Sequence, residues 1–552
     1  MAAVPDPTFL QRLALALAAL LAVAVVLGLD RPHGRWGRRL RRRFLLGVPW
    51  GTLVVVAFVL SVYLFLQGGL QHPRSPTTLP FRSWSYFYPL GVLTAAFAHT
   101  GLNHLLGNLV GTVALAPLAE YAWGHYPRER GRSSFGTPGT NPFVRAFVLF
   151  PAAAVVVGLL TATFGLGPII GFSGVVFAFG GVALVNYPIR TVVALSAADL
   201  LRVGIGAIRT PTLTATASPT FSSPWWAEIA IQGHVLGLLI GVVVGVWLLR
   251  THGADPPSAL RTFGGVVLFG VVESLWAVYW FRGGGTYVLY RAVGLALVVL
   301  LAALVAAAVA ASDRPLVGPG RAGASLRTVP RWTAATVVIL LVVAALAGPA
   351  VVTKFTTASD APLPGESVAV HDYSVAYAEN VEDGMVSVVN VSAFGETTTV
   401  NTSGVIVRSG RRDLWVTAVS RSRLAFAGRV IVRLGGVGWQ DRVVVNRTGW
   451  TTVGGRTTYR VTLQHDGRRV PAFASPPARA APVVAGRNVS VAARKDGFDV
   501  VVRRGGRPRT APLPGENESV AVGGLRFVRD GSRVIAVHGE TRVPVARKER
   551  YH

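Results

Sequence analysis

Long runs of apolar residues alternate with short polar segments along the chain up to Val352, and this alternation ends at Lys354. A membrane core about 30 Å thick is crossed by about 20 apolar residues in a helix, so each long run predicts a transmembrane helix. The pattern predicts ten spans, at residues 9–29, 44–66, 102–124, 144–164, 172–187, 191–208, 227–250, 264–281, 286–311 and 332–352. The first run lacks a basic segment before it and a convincing cleavage site, which predicts a retained helix rather than a signal peptide.

From Lys354 onward the hydrophobic positions fall in short, β-branched stretches that are separated by Gly, Asp and Asn. Stretches such as SGVIVRSG, DLWVTAVS, GRVIVRL and SRVIAVHGE predict β-strands. The Asp-Gly pairs in LQHDGRR and VRDGSR predict tight hairpin turns. The stretch APLPGESVAV at 361–370 returns as APLPGENESVAV at 511–522, which suggests two similar β units. The pattern therefore predicts a β-rich domain at 354–552.

Composition supports the membrane assignment and limits the chemistry. Of the 552 residues 51% are hydrophobic and 14% are charged, whereas soluble domains carry roughly a quarter charged residues. The chain has no cysteine, which excludes disulfides, thiolate catalysis and cysteine-based zinc sites. It also has no Gly-rich phosphate loop and no HExxH sequence, so we expect neither a cofactor nor a metal.

The formal net charge of +28 comes almost wholly from arginine. A strongly basic chain invites a nucleic-acid interpretation. Much of the arginine, however, lies in short loops beside the spans, where the positive-inside rule explains it, so we expect no nucleic-acid partner. The loops 30–44, 125–145 and 312–331 carry seven, four and four arginines. Placing them in the cytoplasm is consistent across all ten spans, and it predicts a multi-pass protein of the cell membrane with both termini outside.

The predicted tail domain is also basic, with 29 Lys+Arg against 17 Asp+Glu from Lys354 onward. A solvated β surface is the simplest interpretation, and attraction to anionic lipid headgroups or to an unknown external partner is the alternative. Five Asn-X-Ser/Thr sequons give modest support to an extracellular tail. They begin at Asn390, Asn401, Asn446, Asn488 and Asn517.

Four polar side chains inside the spans need a reason, because polar groups are costly in a bilayer. His104 and Asn108 are four residues apart on one face of the third span, Ser173 begins the fifth, and His234 lies about two turns into the seventh. The predicted topology starts all three spans outside, so the four side chains share a shallow external depth. Such a set permits nucleophilic acyl transfer, in which an imidazole activates a serine and other donors stabilise the oxyanion.

Each of these signals is weak alone. Gly-x-Ser-Gly is common by chance in a Gly-rich membrane protein, a lone histidine in a span more often packs or relays protons, and His-x-x-x-Asn also suits an interhelical hydrogen bond. Asp199 lies three residues before Arg202, which predicts an ion pair rather than a third catalytic group.

Together, HLLGN at 104–108, GFSG at 171–174 and GHVLGLLIG at 233–241 resemble the rhomboid intramembrane serine proteases over residues 44–250. The resemblance implies a polytopic α-helical membrane protein with a rhomboid-like six-helix core. It implies Ser173 as the catalytic nucleophile, His234 as its general base, and His104 and Asn108 as the oxyanion site. It further implies transmembrane protein substrates. The loop before His99 shows no clear match to the family's arginine-containing pattern.

The domain organisation follows from this match. We expect an extra N-terminal transmembrane helix and basic cytoplasmic loop at 1–43, the rhomboid core at 44–250, three additional helices at 251–353 and an external, all-β domain at 354–552. The resemblance also implies a structural role for Glu120 and an aromatic contact from Phe177 to the catalytic imidazole.

Small residues predict how the fifth and seventh spans meet. Glycines recur every four residues on one face of the seventh span, and Gly174 and Ala178 give the fifth span a matching face. Close packing of these faces would bring His234 to Ser173. The glycines of the seventh span are Gly233, Gly237, Gly241 and Gly245.

Other polar residues receive simpler interpretations. We expect His99 to be structural, His125 and His252 to be solvated in cytoplasmic loops, and Glu273 and Arg291 to form a buried pair. The functional alternative to a protease is an inactive rhomboid-like protein that binds membrane clients and presents its β domain to partners. A transporter is disfavoured, because few charges lie in the spans and no inverted repeat is visible.

Overall fold

The computed structural model describes residues 7–30, 34–126, 131–214, 219–282, 286–314, 329–387 and 401–552. Within these ranges lie ten apolar helices, labelled α1 to α10 in chain order. They are α1 Pro7–Asp30, α2 Trp50–Leu66, α3 Leu102–Trp123, α4 Pro142–Phe164, α5 Ser173–Asn186, α6 Pro188–Arg209, α7 Ile231–Thr251, α8 Ala259–Val272, α9 Arg291–Ala310 and α10 Arg331–Lys354. Seven of these are long and apolar enough to cross a membrane, and α2, α5 and α8 are shorter. The prediction of a polytopic helical membrane protein is confirmed.

The eighth predicted span, 264–281, is wrong in its second half. Helix α8 ends at Val272, and Ser274 adopts a left-handed backbone with φ 58°. A short antiparallel pair follows, β1 Tyr279–Phe281 with β2 Tyr287–Leu289. Hydropathy counts the aromatic residues here as apolar, but it does not distinguish a helix from a turn that is rich in aromatic residues.

Helix α5 is the centre of the helical unit, because every residue from Gly174 to Val185 is buried. Its closest neighbour is α7. A Cβ added at Gly237 would lie 2.0 Å from the Gly174 carbonyl oxygen, and one added at Gly241 would lie 2.0 Å from that of Ala178. Glycine is therefore required at both positions for the two backbones to touch. The predicted face is correct here, but Gly233 has open space and takes no part.

A buried carboxylate ties α2 to α3 at the opposite end of α3 from His104. Glu120 accepts hydrogen bonds from the backbone N–H groups of Gly51 and Thr52 at 2.7 and 2.8 Å, and His125 Nε2 lies 2.6 Å from it. The backbone N–H of Leu45 donates to His125 Nδ1, so Nε2 carries the proton toward Glu120. The expectation that His125 is solvated is wrong, because its side chain closes over this acid and is fully buried.

Arg250 marks which helix ends lie together. It lies in the last turn of α7 and donates to the carbonyls of Val309 and Ala311 at the C-terminal end of α9. At the other end of the bundle, the Tyr279 hydroxyl donates to the Ala227 carbonyl just before α7. Both contacts fit the predicted alternation of the loops between two sides of the membrane.

The helices up to Lys354 form one compact unit, and a second unit contains Phe355–His552 together with Pro219–Ser222. The second unit is built of strands, so an all-β region follows the helical core, as predicted. Its strands are β3 Thr356–Ala358, β4 Ser367–Val370, β5 Tyr373–Glu382, β6 Met385–Ser387, β7 Asn401–Ser409, β8 Leu414–Ser420, β9 Arg429–Gly436, β10 Trp439–Thr452, β11 Thr457–His465, β12 Arg468–Ala474, β13 Ala478–Val484, β14 Arg487–Ala493, β15 Phe498–Arg503, β16 Arg509–Pro512, β17 Ser519–Val522, β18 Leu525–Asp530, β19 Arg533–His538 and β20 Thr541–Lys548. A short α-helix, Arg421–Ala427, lies between β8 and β9.

These strands form antiparallel sheets. The largest runs in the order β12-β11-β10-β20-β19-β18-β17, with β9 on β10, and two four-stranded sheets run β4-β5-β7-β8 and β13-β14-β15-β16. The turn at Asp466-Gly467 is as predicted, with both residues at positive φ. The second predicted turn is one residue early, because Asp530 pairs with Arg533 and the turn is Gly531-Ser532. The SVAV sequence that ends both copies of the APLPGE repeat forms β4 in the first copy and β17 in the second. Each of these is the first strand of a hairpin.

Candidate active site

Ser173 is the first residue of α5, and the chain reaches it through a constrained turn. Gly171 has φ 132°, which favours glycine, and a Cβ there would lie 2.6 Å from His104 Cε1 and 2.8 Å from His104 Nε2. The backbone N–H of Gly171 is bonded to the Ala95 carbonyl. The first glycine of GFSG thus lets the serine loop lie directly against the His104 ring.

His234 meets Ser173 across the α5–α7 contact. Its Nε2 lies 2.8 Å from the Ser173 Oγ, although the two residues are 61 positions apart. The Phe177 ring, one turn into α5, stacks on the imidazole with centroids 4.3 Å apart and an interplanar angle of 12°. His234 Nδ1 is buried and has no hydrogen-bond partner among the described residues. The ring is therefore held by stacking and helix packing rather than by a carboxylate.

His104 and Asn108 face the same space from α3. The Thr100 hydroxyl lies 3.1 Å from His104 Nδ1, and the Thr100 backbone N–H points at the same nitrogen at 3.5 Å. Because Nδ1 accepts these hydrogen bonds, the neutral ring carries its proton on Nε2, which is directed toward Gly171. Asn108 is only 7% exposed, and its Nδ2 has no partner in the part of the chain that the structure describes. Two N–H donors are thus free to meet a developing negative charge.

All four predicted site residues line one cavity of about 540 Å³. Helices α3, α5, α6, α7 and α8 contribute to its wall. The ionisable side chains besides the two histidines are Asp199, Arg202, Glu228 and Glu273. The structure therefore brings Ser173, His234, His104 and Asn108 to one place.

Sequence reasoning missed part of this wall. The expected pair of Glu273 with Arg291 is wrong, because Glu273 lines the cavity instead. The predicted Asp199–Arg202 ion pair is present at 2.9 Å, and both side chains also line the cavity. Thr100 lies four residues before His104, and Gly171 is the first residue of GFSG, so the motifs themselves were a usable signal for both residues. Phe269 and Glu273 carried no signal, because their place depends on how α8 packs.

His99, expected to be structural, is fully buried beside the site. Its backbone N–H donates to the Gln67 side-chain oxygen at 2.7 Å, and its carbonyl accepts from the Gln67 amide at 2.8 Å. These bonds secure the turn that leads into α3 and so place His104.

Comparison with known protein families finds one match. Residues 86–251 match the family model of the rhomboid domain, and all four predicted site residues lie within the matched range. No curated protein and no solved structure matches the chain. Residues 86–251 are therefore a rhomboid domain, in a chain whose described residues include seven helices long and apolar enough to cross a membrane.

Proposed function

We propose that the protein is an intramembrane serine endopeptidase that cleaves peptide bonds in or near the transmembrane segments of other membrane proteins. The observation that carries the proposal is the 2.8 Å contact between Ser173 Oγ and His234 Nε2. A hydroxyl becomes a useful nucleophile when a base within hydrogen-bond reach takes its proton. Free donors on His104 and Asn108 in the same cavity support acyl transfer over simple helix packing.

In the proposed reaction Ser173 Oγ attacks the substrate carbonyl carbon while its proton passes to His234 Nε2. The Nε2–H of His104 and the Nδ2–H of Asn108 stabilise the oxyanion, together with the backbone N–H at the start of α5. His234 then gives the proton to the leaving amine, which produces an acyl-enzyme. Water, activated by the same imidazole, hydrolyses this ester and restores Ser173.

We further propose that the reaction takes place near the external surface of the membrane. The arginine-rich loops favour a cytoplasmic side, which puts Ser173 near the external surface and the β unit outside the cell. Water would then enter the cavity from outside, and substrates would arrive through the lipid. The two donor groups and the dyad need no metal or cofactor for this chemistry.

Labelling with a fluorophosphonate probe on the purified full-length protein tests the function. We expect one labelled serine, with labelling abolished by Ser173→Ala and retained by the matched control Ser61→Ala, an exposed serine on α2. A folded wild-type sample that does not label contradicts the proposal and favours an inactive, client-binding rhomboid protein.

A further inference from the structure

Helix α8 lies outside the rhomboid match, yet it packs directly behind the candidate dyad. The Phe269 ring meets Phe177 edge-on with centroids 5.5 Å apart, and Phe177 in turn stacks on His234. A Cβ at Gly180 on α5 would lie 2.8 Å from the tip of Phe269, and one at Gly265 on α8 would lie 2.7 Å from Pro188. Helix α8 is thus held against α5 near its C-terminal end, at Phe269, and against the start of α6 at its middle, at Gly265.

This packing places the end of α8 in the wall of the active-site cavity. Phe269, Val272 and Glu273 all line it, on the same cavity as Ser173 and His234. Glu273 follows the last helical residue of α8 and is half-buried. Among the described residues, no hydrogen bond or salt bridge occupies its carboxylate.

The charges of the cavity do not balance. Asp199, Glu228 and Glu273 are carboxylates, whereas Arg202 is the only lysine or arginine among the described lining residues. Arg202 pairs with Asp199 at 2.9 Å, and Glu228 accepts a hydrogen bond from Ser223 at 3.0 Å. Glu273 forms no salt bridge among the described residues, and Arg202, the cation that acts on it electrostatically, is already paired with Asp199. The buried, unpartnered Asn108 amide faces the same cavity, which marks it as a space built for a polar ligand.

We propose that Glu273 forms a subsite for a cationic side chain, so that the enzyme prefers substrates with a lysine or arginine close to the scissile bond. The inference rests on the proposed function and names its substrate class. A carboxylate in a partly desolvated cavity gains most from a substrate that supplies the missing charge, because charge-assisted hydrogen bonds are about twice as strong as neutral ones. Asp199 and Glu228 add to the negative potential around that subsite.

Binding of matched peptides tests this subsite separately from catalysis. The full-length Ser173→Ala protein in detergent is titrated with dye-labelled synthetic transmembrane peptides that differ at one outer position, Lys, Gln or Glu, and anisotropy is measured. We expect the Lys peptide to bind roughly tenfold more tightly than the Gln peptide, which corresponds to about 1.4 kcal/mol. Glu273→Gln should remove the preference, Glu273→Lys should transfer it to the Glu peptide, and Asp255→Asn, in the loop before α8, should leave it unchanged.

If the Ser173→Ala protein with Glu273 intact binds the Lys and Gln peptides with equal affinity, the proposed subsite is wrong. Labelling of the wild-type protein by the fluorophosphonate is measured in parallel with the same peptides as competitors. Absence of labelling with an intact Lys preference refutes the protease alone. Normal labelling that all three peptides suppress equally refutes the subsite alone.

Discussion

At the scale of single residues, the candidate site is defined by groups that lack partners. His234 uses Nε2 for Ser173, while its Nδ1 and the Asn108 Nδ2 are buried without hydrogen bonds among the described residues. A buried donor left unsatisfied costs about 1–3 kcal/mol, so its retention points to a ligand that supplies the missing acceptor. An oxyanion next to Ser173 would do so for Asn108.

Replacement of Asn108 tests this role directly. Asn108→Ala should lower the rate constant of fluorophosphonate labelling by about 10²–10³, the usual cost of removing one oxyanion donor. Val113→Ala, an exposed position on the same helix that does not line the cavity, is the control and should label at the wild-type rate. Unchanged labelling of Asn108→Ala would show that its amide does not contact the reacting group.

At the scale of elements, the contact between α5 and α7 decides whether the dyad forms. Gly237 lies three residues after His234, and its Cα faces the carbonyl of Gly174, the residue after Ser173. Any side chain at this point separates the two helices where the dyad must meet. Gly233, on the other side of His234, has no heavy atom within 4 Å of an added Cβ.

We therefore expect Gly237→Ala to reduce both stability and labelling. A Cβ 2.0 Å from a backbone oxygen forces the helices apart, and overpacking of this kind costs about 1–3 kcal/mol. Thermal unfolding in detergent and the labelling rate measure the two effects. Gly233→Ala serves as the comparison. If both variants unfold at the same temperature and label at the same rate, the α5–α7 contact at Gly237 is not what holds the dyad together.

A salt bridge joins two segments of the β unit. Asp372, in the turn between β4 and β5, accepts from Arg412 Nε at 2.6 Å and Nη2 at 3.0 Å, and from the Ser409 hydroxyl at 2.8 Å. Burial alone raises the pKa of Asp372, but the hydrogen bonds and charge of Arg412 and Ser409 outweigh it, so the net pKa lies below its ordinary value.

Because the pKa of the Asp372 carboxylate is lowered, this salt bridge is sensitive to acid. Its stabilisation is fully present above the unfolded-state pKa, which is about 3.9, and is lost as the pH falls through the lower folded-state value. Asp372→Asn should therefore lower the melting temperature of the full-length protein at pH 7, and the gap from the wild type should narrow below pH of about 4. A gap that stays constant with pH would mean that the Asp372 charge contributes nothing.

At the scale of the whole molecule, the absence of cysteine allows a clean test of topology. Single cysteines are introduced at Arg39, in the exposed helix Arg35–Arg43, and at Arg504, in the exposed turn after β15. A membrane-impermeant maleimide on intact cells should label Arg504→Cys and leave Arg39→Cys unlabelled, because arginine-rich loops stay in the cytoplasm. Permeabilised cells should label both, and the reverse pattern on intact cells would invert the proposed orientation.

The positions of the helices and of the β region were predictable from sequence, because hydropathy and β-branched alternation are local properties of the chain. The errors lie where local pattern is ambiguous. Residues 275–281 are apolar but not helical, and the turn after Asp530 is displaced by one residue. Of the sequons, Asn390 lies outside the described residues.

The sequence by itself determined the order and spacing of the polar residues, and the small faces on which two helices approach. Only the tertiary structure decided that Ser173 and His234 are 2.8 Å apart, that His125 closes over Glu120, and that Glu273 enters the cavity. The physical reason is that hydropathy assigns a residue to lipid or water, whereas contact between distant helices depends on which faces pack, at what rotation and depth.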